Sequence, residues 1–179
     1  MESDVYESVE DELVKKGAAI SIRDLRKTFG EGFGQVEVKA VDGVSLNMYE
    51  GQVFCLLGHN GAGKTTTISM LTGLLEITEG EVRICGHSVK TNMRDIRKIM
   101  GVCPQHDVLW PHLTCREHLE LFALLKGVRK ERVIEEAKKA LLTVGLIEKE
   151  HEFPSHMSGG QKRKLSLAIA LIGGSKVGF

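Results

Sequence analysis

The sequence predicts an α/β fold in three successive parts, and three observations carry that prediction. First, apolar and polar residues alternate in Ile20-Ser21-Ile22-Arg23-Asp24-Leu25, Val36-Glu37-Val38-Lys39-Ala40-Val41 and Val44-Ser45-Leu46-Asn47-Met48, as in the half-buried strands of an antiparallel sheet. Second, the run Val53-Phe54-Cys55-Leu56-Leu57 is continuously apolar, meets Gly58, and gives way to Ile68, Leu71, Leu74 and Leu75 at helical spacing. That is the pattern of a strand buried on both faces, a glycine-rich loop and a helix. Third, helix start and stop signals dominate beyond Thr114.

The remaining elements follow in chain order. A Gly-rich turn at Gly30-Glu31-Gly32-Phe33-Gly34 joins the first two strands, and Glu50-Gly51-Gln52 closes the third. Glu81-Val82-Arg83-Ile84-Cys85 alternates and stops at Gly86. A short amphipathic helix is predicted from Met93 to Met100, then a buried strand at Gly101-Val102-Cys103, halted by Pro104. Thr114 with Glu117 forms a capping-box pattern for a helix reaching about Lys126, with Gly127 as its stop. A second helix fits Lys130 to Thr143, with Val133, Ile134, Ala137, Leu141 and Val144 on one face. Ser158 is placed to cap a third, whose buried face would hold Leu165, Ala168, Ile169 and Ile172 before Gly173-Gly174 ends it.

Composition bounds the function classes. A chain of 179 residues with 42% hydrophobic and 27% charged residues suits one ordinary globular domain. Its net charge of +0 gives no electrostatic case for nucleic acid or an anionic membrane surface. Residues 1–18 form an acidic leader, read as a solvated linker, because Glu2, Asp4, Glu7, Glu10, Asp11 and Glu12 all precede Lys15. The four cysteines include no C-x-x-C pair, so neither a disulfide framework nor a zinc site is expected. No stretch approaches the roughly 18 apolar residues of a membrane span, and the chain itself is expected to be soluble.

The chemistry concentrates at Gly58-His59-Asn60-Gly61-Ala62-Gly63-Lys64-Thr65-Thr66, which matches G-x-x-x-x-G-K-[ST]. Glycines let such a loop curl so that successive N–H groups face phosphate oxygens, and the helix that follows adds its positive N-terminal end. Lys64 is expected to reach the β- and γ-phosphates of a nucleotide and Thr65 to ligate Mg2+. A chance match in a Gly-rich turn is the competing reading, and the buried strand ahead and helix behind weigh against it. Far downstream lies a second glycine element, Ser158-Gly159-Gly160-Gln161, before the basic run Lys162-Arg163-Lys164. A capped helix start with small residues again lets N–H groups approach a phosphate. The basic run itself reads first as a solvated helix face.

Residues from about Ile20 to Val177 resemble an ATP-binding cassette, the nucleotide-binding domain of ABC transporters. The wording Gly58 to Thr67, Gly101-Val102-Cys103-Pro104-Gln105-His106 and Lys162-Arg163-Lys164-Leu165-Ser166 is similar to subfamily A, the lipid-exporting group. The resemblance implies a P-loop NTPase fold with an antiparallel β subdomain, a RecA-like parallel core and a helical subdomain. On it, residues 19–104 hold the β subdomain and phosphate-loop core, and residues 105–174 the Q-loop and helical subdomain. ATP and Mg2+ are the implied cofactors. Phe29 falls where the family stacks an aromatic on adenine, with a core phenylalanine as the competing reading. Gln105 falls at the Q-loop, which touches Mg2+ and the attacking water. Ser158, Gly159, Gly160 and Gln161 match the signature that closes over ATP held by a second cassette. Met157 replaces the usual leucine at its head, an exchange of little consequence for volume. The implied partners are that second cassette and transmembrane domains outside this chain, which would place it at the cytoplasmic face of a membrane. Soluble cassettes of the translation-factor or chromosome type and small-molecule kinases fit the wording less well.

In the family an apolar strand ending in Asp-Glu would continue from Ser175-Lys176-Val177, followed by a switch histidine. Here Gly178-Phe179 follows instead. The expectation is a cassette incomplete at its C-terminal side. By itself it would hold phosphates with little group to activate water, and the strand Val53–Leu57 would lack its usual neighbours. A nucleotide-binding chain deficient in hydrolysis is the alternative to a working transporter motor.

Overall fold

Alternation in the first strand places Ile20 and Ile22 on one face, and in the computed structural model of the chain both are buried, as is Leu25. The structure describes residues 17–30 and 36–179. They fall into two compact units that divide between Met93 and Arg94. Most of the acidic leader and the turn Glu31 to Gly34 lie outside the described residues.

In the first unit β1 (Ile20–Phe29), β2 (Val38–Met48), β3 (Glu79–Ile84) and β4 (His87–Ser88) form an antiparallel sheet in the order β2-β1-β3-β4. The spacing from Ile22 to Leu25 would turn Leu25 outward in a regular strand. The register shifts there, and Asp24 takes φ 44°, so Leu25 returns to the buried face. The two alternating runs predicted on either side of Asp42-Gly43 are one strand, β2. Its pairing slips at Gly43, where Leu25 faces Val44 but Arg26 faces Asp42. Val41, Val82 and Ile84 complete the buried face, with Met70 and Leu71 of α1 (Lys64–Leu71) also buried.

One expectation is overturned in this unit. Val53–Leu57, read as a strand buried on both faces, belongs to no sheet among the described residues. Val53 is 95% and Leu57 87% exposed. An apolar run forms a buried strand only where neighbours supply ladder partners and cover its faces, and the sheet of this unit consists of β1 to β4 alone.

The second unit is helical. It opens with α2 (Met93–Ile99), whose first residue is the last of the first unit, and β5 (Met100–Gly101). Three helices follow, α3 (Cys115–Leu125), α4 (Val133–Thr143) and α5 (Gly159–Leu171), and then β6 (Val177–Gly178). Its core joins Cys115, Leu119 and Ala123 of α3, Val133, Ala137 and Leu141 of α4, and Leu165, Ala168 and Ile169 of α5. Ile134, placed on the buried face by spacing, is instead exposed. It stands about 100° around α4 from Val133, at the rim of the face that Val133, Ala137 and Leu141 bury. Burial of Cys115 raises its thiol pKa to about 11, and its sulfur lies 3.3 Å from Met157 Sδ, so the methionine at the signature's head is a core side chain. The predicted strand at Gly101–Cys103 begins one residue early as β5, which pairs in parallel with β6. Cys103 N–H extends the ladder to Phe179 O at 2.7 Å.

Candidate nucleotide-binding site

The phosphate loop leads from the exposed Val53–Leu57 run into α1, and its own backbone sets its shape. Gly61 and Gly63 take φ 87° and 82°, left-handed values that side chains disfavour. A Cβ on Gly63 would lie 2.3 Å from Ala40 O, so this glycine lets the loop lie against β2. A Cβ on Gly61 would meet no atom within 4 Å. The space above Gly61 is therefore open, which suits a loop whose N–H groups receive an anion.

Lys64 reaches back over the loop, its ammonium donating to Gly58 O at 2.7 Å and His59 O at 2.8 Å. Ala62 N–H donates to His59 O at 3.2 Å. Thr67 turns inward and caps locally, its hydroxyl donating to Gly63 O at 3.0 Å, whereas Asn60 and Thr65 are exposed and Thr66 is half-buried. The first turn of α1 carries no acidic residue that would compete for its N-terminal end. An open cradle, a fixed cation and uncompeted helix N–H groups fit a polyphosphate.

Phe29 ends β1 with 40% of its surface exposed and Lys27 Nζ 5.1 Å from its ring centroid. The ring is therefore exposed rather than buried in a core, with a cation already over it.

In the second unit Ser158 caps α5 as predicted. Its Oγ accepts from Gln161 N–H at 3.3 Å, and Gln161 Oε1 accepts from Ser158 N–H at 2.9 Å. Gln161, a candidate ligand by sequence, thus holds the helix start in shape. Gly159 and Gly160 are exposed, and a Cβ on either would meet nothing within 4 Å. Packing among the described residues does not demand glycine at either position.

Gln105 is exposed in the bend after Pro104. Sequence reasoning missed the residues around it. Arg163 donates to Pro104 O and lies 3.9 Å from Asp107, and Ser166 Oγ donates to Asp107 Oδ1 at 2.9 Å. The basic run is therefore not a wholly solvated face. Nothing in local spacing could have joined residues so far apart in the chain.

Three residues beyond Asp107, Trp110 stacks on the buried His118 with ring centroids 5.8 Å apart. His118 Nε2 accepts from Trp110 N–H at 2.8 Å, which leaves Nδ1–H to donate to Thr114 O at 2.8 Å. Burial lowers the imidazole pKa below 6.5, against smaller opposing effects of Thr114 and Glu117. Because the unfolded chain binds this proton more readily, stability from His118 is present above about pH 6.5 and is lost as pH falls through the folded-state value. A series of melts from pH 7.5 to 5, followed by the single tryptophan, is expected to show this loss. His118→Gln, which titrates no proton, is expected to flatten it.

The comparisons with known proteins agree with this geometry. The sequence profile of the ABC transporter family matches residues 41–179. The human phospholipid-transporting ATPase ABCA3 is 46% identical over 177 residues, 99% of this chain and 10% of that protein. ABC transporter A family member 4 of Dictyostelium discoideum is 48% identical over 170 residues, 94% of this chain and again 10% of the relative. The chain thus spans about a tenth of the length of these relatives. A dimeric ATP-binding cassette in a post-hydrolysis state, bound to ADP and Pi, superposes with TM-score 0.75 at 27% identity, over 87% of this chain and 70% of its own. The ATP-binding subunit of an ABC transporter does so with TM-score 0.72 at 29% identity, over 86% and 61%. Among the described residues no helix is long and apolar enough to cross a membrane. By its family match, its solved neighbours and its two glycine elements, this chain belongs to the ABC transporter family and has the fold of its ATP-binding cassettes.

Proposed function

We propose that the chain is the ATP-binding module of an ABC transporter of the lipid-exporting type, coupling ATP binding and hydrolysis to transport by membrane-spanning domains. The phosphate loop carries this reading, because Gly61 leaves room for phosphate directly in front of α1 and Lys64 supplies the cation. Gly58, Asn60, Gly61, Ala62, Gly63 and Thr66 would cradle the phosphates by backbone N–H groups, and Phe29 would stack on the base. Thr65 and Gln105 would hold Mg2+, which neutralises charge across the β- and γ-oxygens. Ser158, Gly159 and Gly160 would close over a nucleotide held by a second cassette, as the dimeric neighbour's form suggests. Because the capping contact uses Ser158 Oγ only as an acceptor, its hydroxyl proton remains to be donated. The phospholipid activity in the printed name of ABCA3 supports a lipid substrate for the transporter.

The exposed Val53–Leu57 run favours a second reading for the isolated chain, as a nucleotide binder with little turnover, since a loop that follows an unpaired, uncovered segment is poorly held. Thermal melts with ATP and with AMP, each with Mg2+, test the module's specificity. A ligand at a hundred times its Kd stabilises the folded state by about 2.7 kcal/mol. ATP is expected to raise the melting temperature accordingly and AMP, lacking the β- and γ-phosphates, to leave it unchanged. Equal shifts would mean that the phosphate loop is not the site of binding.

A further inference from the structure

Two contacts bracket Gln105, and both end on the same helix. Arg163 donates to Pro104 O on one side, and Ser166 donates to Asp107 Oδ1 at 2.9 Å on the other, with Arg163 also 3.9 Å from that carboxylate. Arg163 and Ser166 are three apart on α5 and therefore share one face. Pro104 and Asp107 are likewise three apart, so the bend closes on that face at two points. Ser166 is 5% exposed and the Asp107 side chain 26%, so the second point is sheltered from competing water. Gln105, between the two points, stays exposed. At its other end α5 begins at Ser158, within the signature. The free loop is thus fastened to the element that carries the Ser158-Gly159-Gly160 corner.

We propose that Arg163, Asp107 and Ser166 are positioning residues for Gln105, clamping its bend to α5 on both sides. The proposal rests on the reading that Gln105 acts on metal-bound phosphate. The clamp fixes the backbone on both sides of Gln105 and leaves its amide only side-chain rotations to reach the metal.

The test uses the full 179-residue chain and its variants Gln105→Ala, Arg163→Met, Arg163→Lys and Asp107→Asn. Two quantities are read: the backbone order parameters of residues 105–107, and the factor by which Mg2+ tightens binding of a non-hydrolysable ATP analogue. Arg163→Met and Asp107→Asn are expected to lower the order parameters from about 0.85 to below about 0.6. Both are expected to lose the Mg2+ enhancement to the extent that Gln105→Ala does. The double variant Gln105→Ala/Arg163→Met should be no worse than either alone, because residues acting through one group are not additive. Arg163→Lys, which keeps a cationic donor, should restore both readouts. Asp107→Asn keeps the shape of the side chain and serves if Arg163→Met does not fold. If Gln105→Ala loses the enhancement while Arg163→Met and Asp107→Asn keep it, the clamp is overturned and the role of Gln105 stands. If Gln105→Ala keeps the enhancement, the role of Gln105 fails, and the clamp's purpose fails with it.

Discussion

Lys64→Ala is expected to weaken ATP binding by about a hundredfold or more in an equilibrium titration with a fluorescent ATP analogue, while the melting temperature stays close to that of the parent chain. A charge-assisted hydrogen bond contributes about 1.5–3 kcal/mol, and the ammonium can make two to phosphate oxygens. At 1.4 kcal/mol per tenfold, their loss gives that factor. Stability is spared for a separate reason. The ammonium donates to the carbonyls of Gly58 and His59, both in exposed residues where water can replace it. Surface substitutions of this kind shift stability by about 0.5 kcal/mol or less. A variant that binds ATP within about threefold of the parent would show that Lys64 does not face phosphate.

Gly101→Ala is expected to give the largest loss of stability, about 3 kcal/mol or more, at the upper end of what overpacking costs. A Cβ at Gly101 would lie 1.9 Å from Ala170 O and 2.7 Å from its carbonyl carbon. Both backbones are held by their own hydrogen bonds. Gly101 O accepts from Phe179 N–H at 2.9 Å, Ile99 O accepts from Lys176 N–H at 2.7 Å, and Ala170 O accepts from Ser175 Oγ at 2.8 Å. No side-chain rotation can relieve a clash between main-chain atoms, so β5 and α5 must separate. For a unit of 60–100 residues each kcal/mol lowers the melting temperature by about 4–8 °C, which calorimetry resolves easily. Gly160→Ala is the matched control. Its Cβ meets nothing within 4 Å, and alanine is a better helix former by about 1 kcal/mol, so the melting temperature should hold or rise. An unchanged melt for Gly101→Ala would mean that β5 does not pack this closely on α5.

These two substitutions also separate what the sequence discloses from what it hides. Gly101 and Gly160 are alike on paper, each a glycine beside a recognisable motif. Only the distance to Ala170 O makes one a packing constraint, while the other faces open space. The same division runs through the elements. Thr114 with Glu117 and Ser158 with Gln161 are legible as capping boxes because the pattern is local, and both form. The buried face of α5, with Leu165, Ala168, Ile169 and Ile172, follows from helical spacing in the same way. Val53–Leu57 fails because continuous apolarity reports only that a segment favours burial, whereas a strand exists by virtue of its neighbours. Ile134 fails by a smaller margin, because it lies at the rim of the face that α4 buries.

By itself the sequence determined the two glycine elements and the strand, helix and cap signals around them. These are local properties of backbone freedom, spacing and hydrogen-bond chemistry, written within a few residues of one another. From them came the family and the expectation of a phosphate site at Lys64. Tertiary structure alone decided which glycines face atoms and which face open space, and that Met157 packs on Cys115. It also decided that Arg163 and Ser166 close on the bend around Gln105. Those contacts join residues far apart in the chain, and their energies depend on distances that no spacing rule encodes.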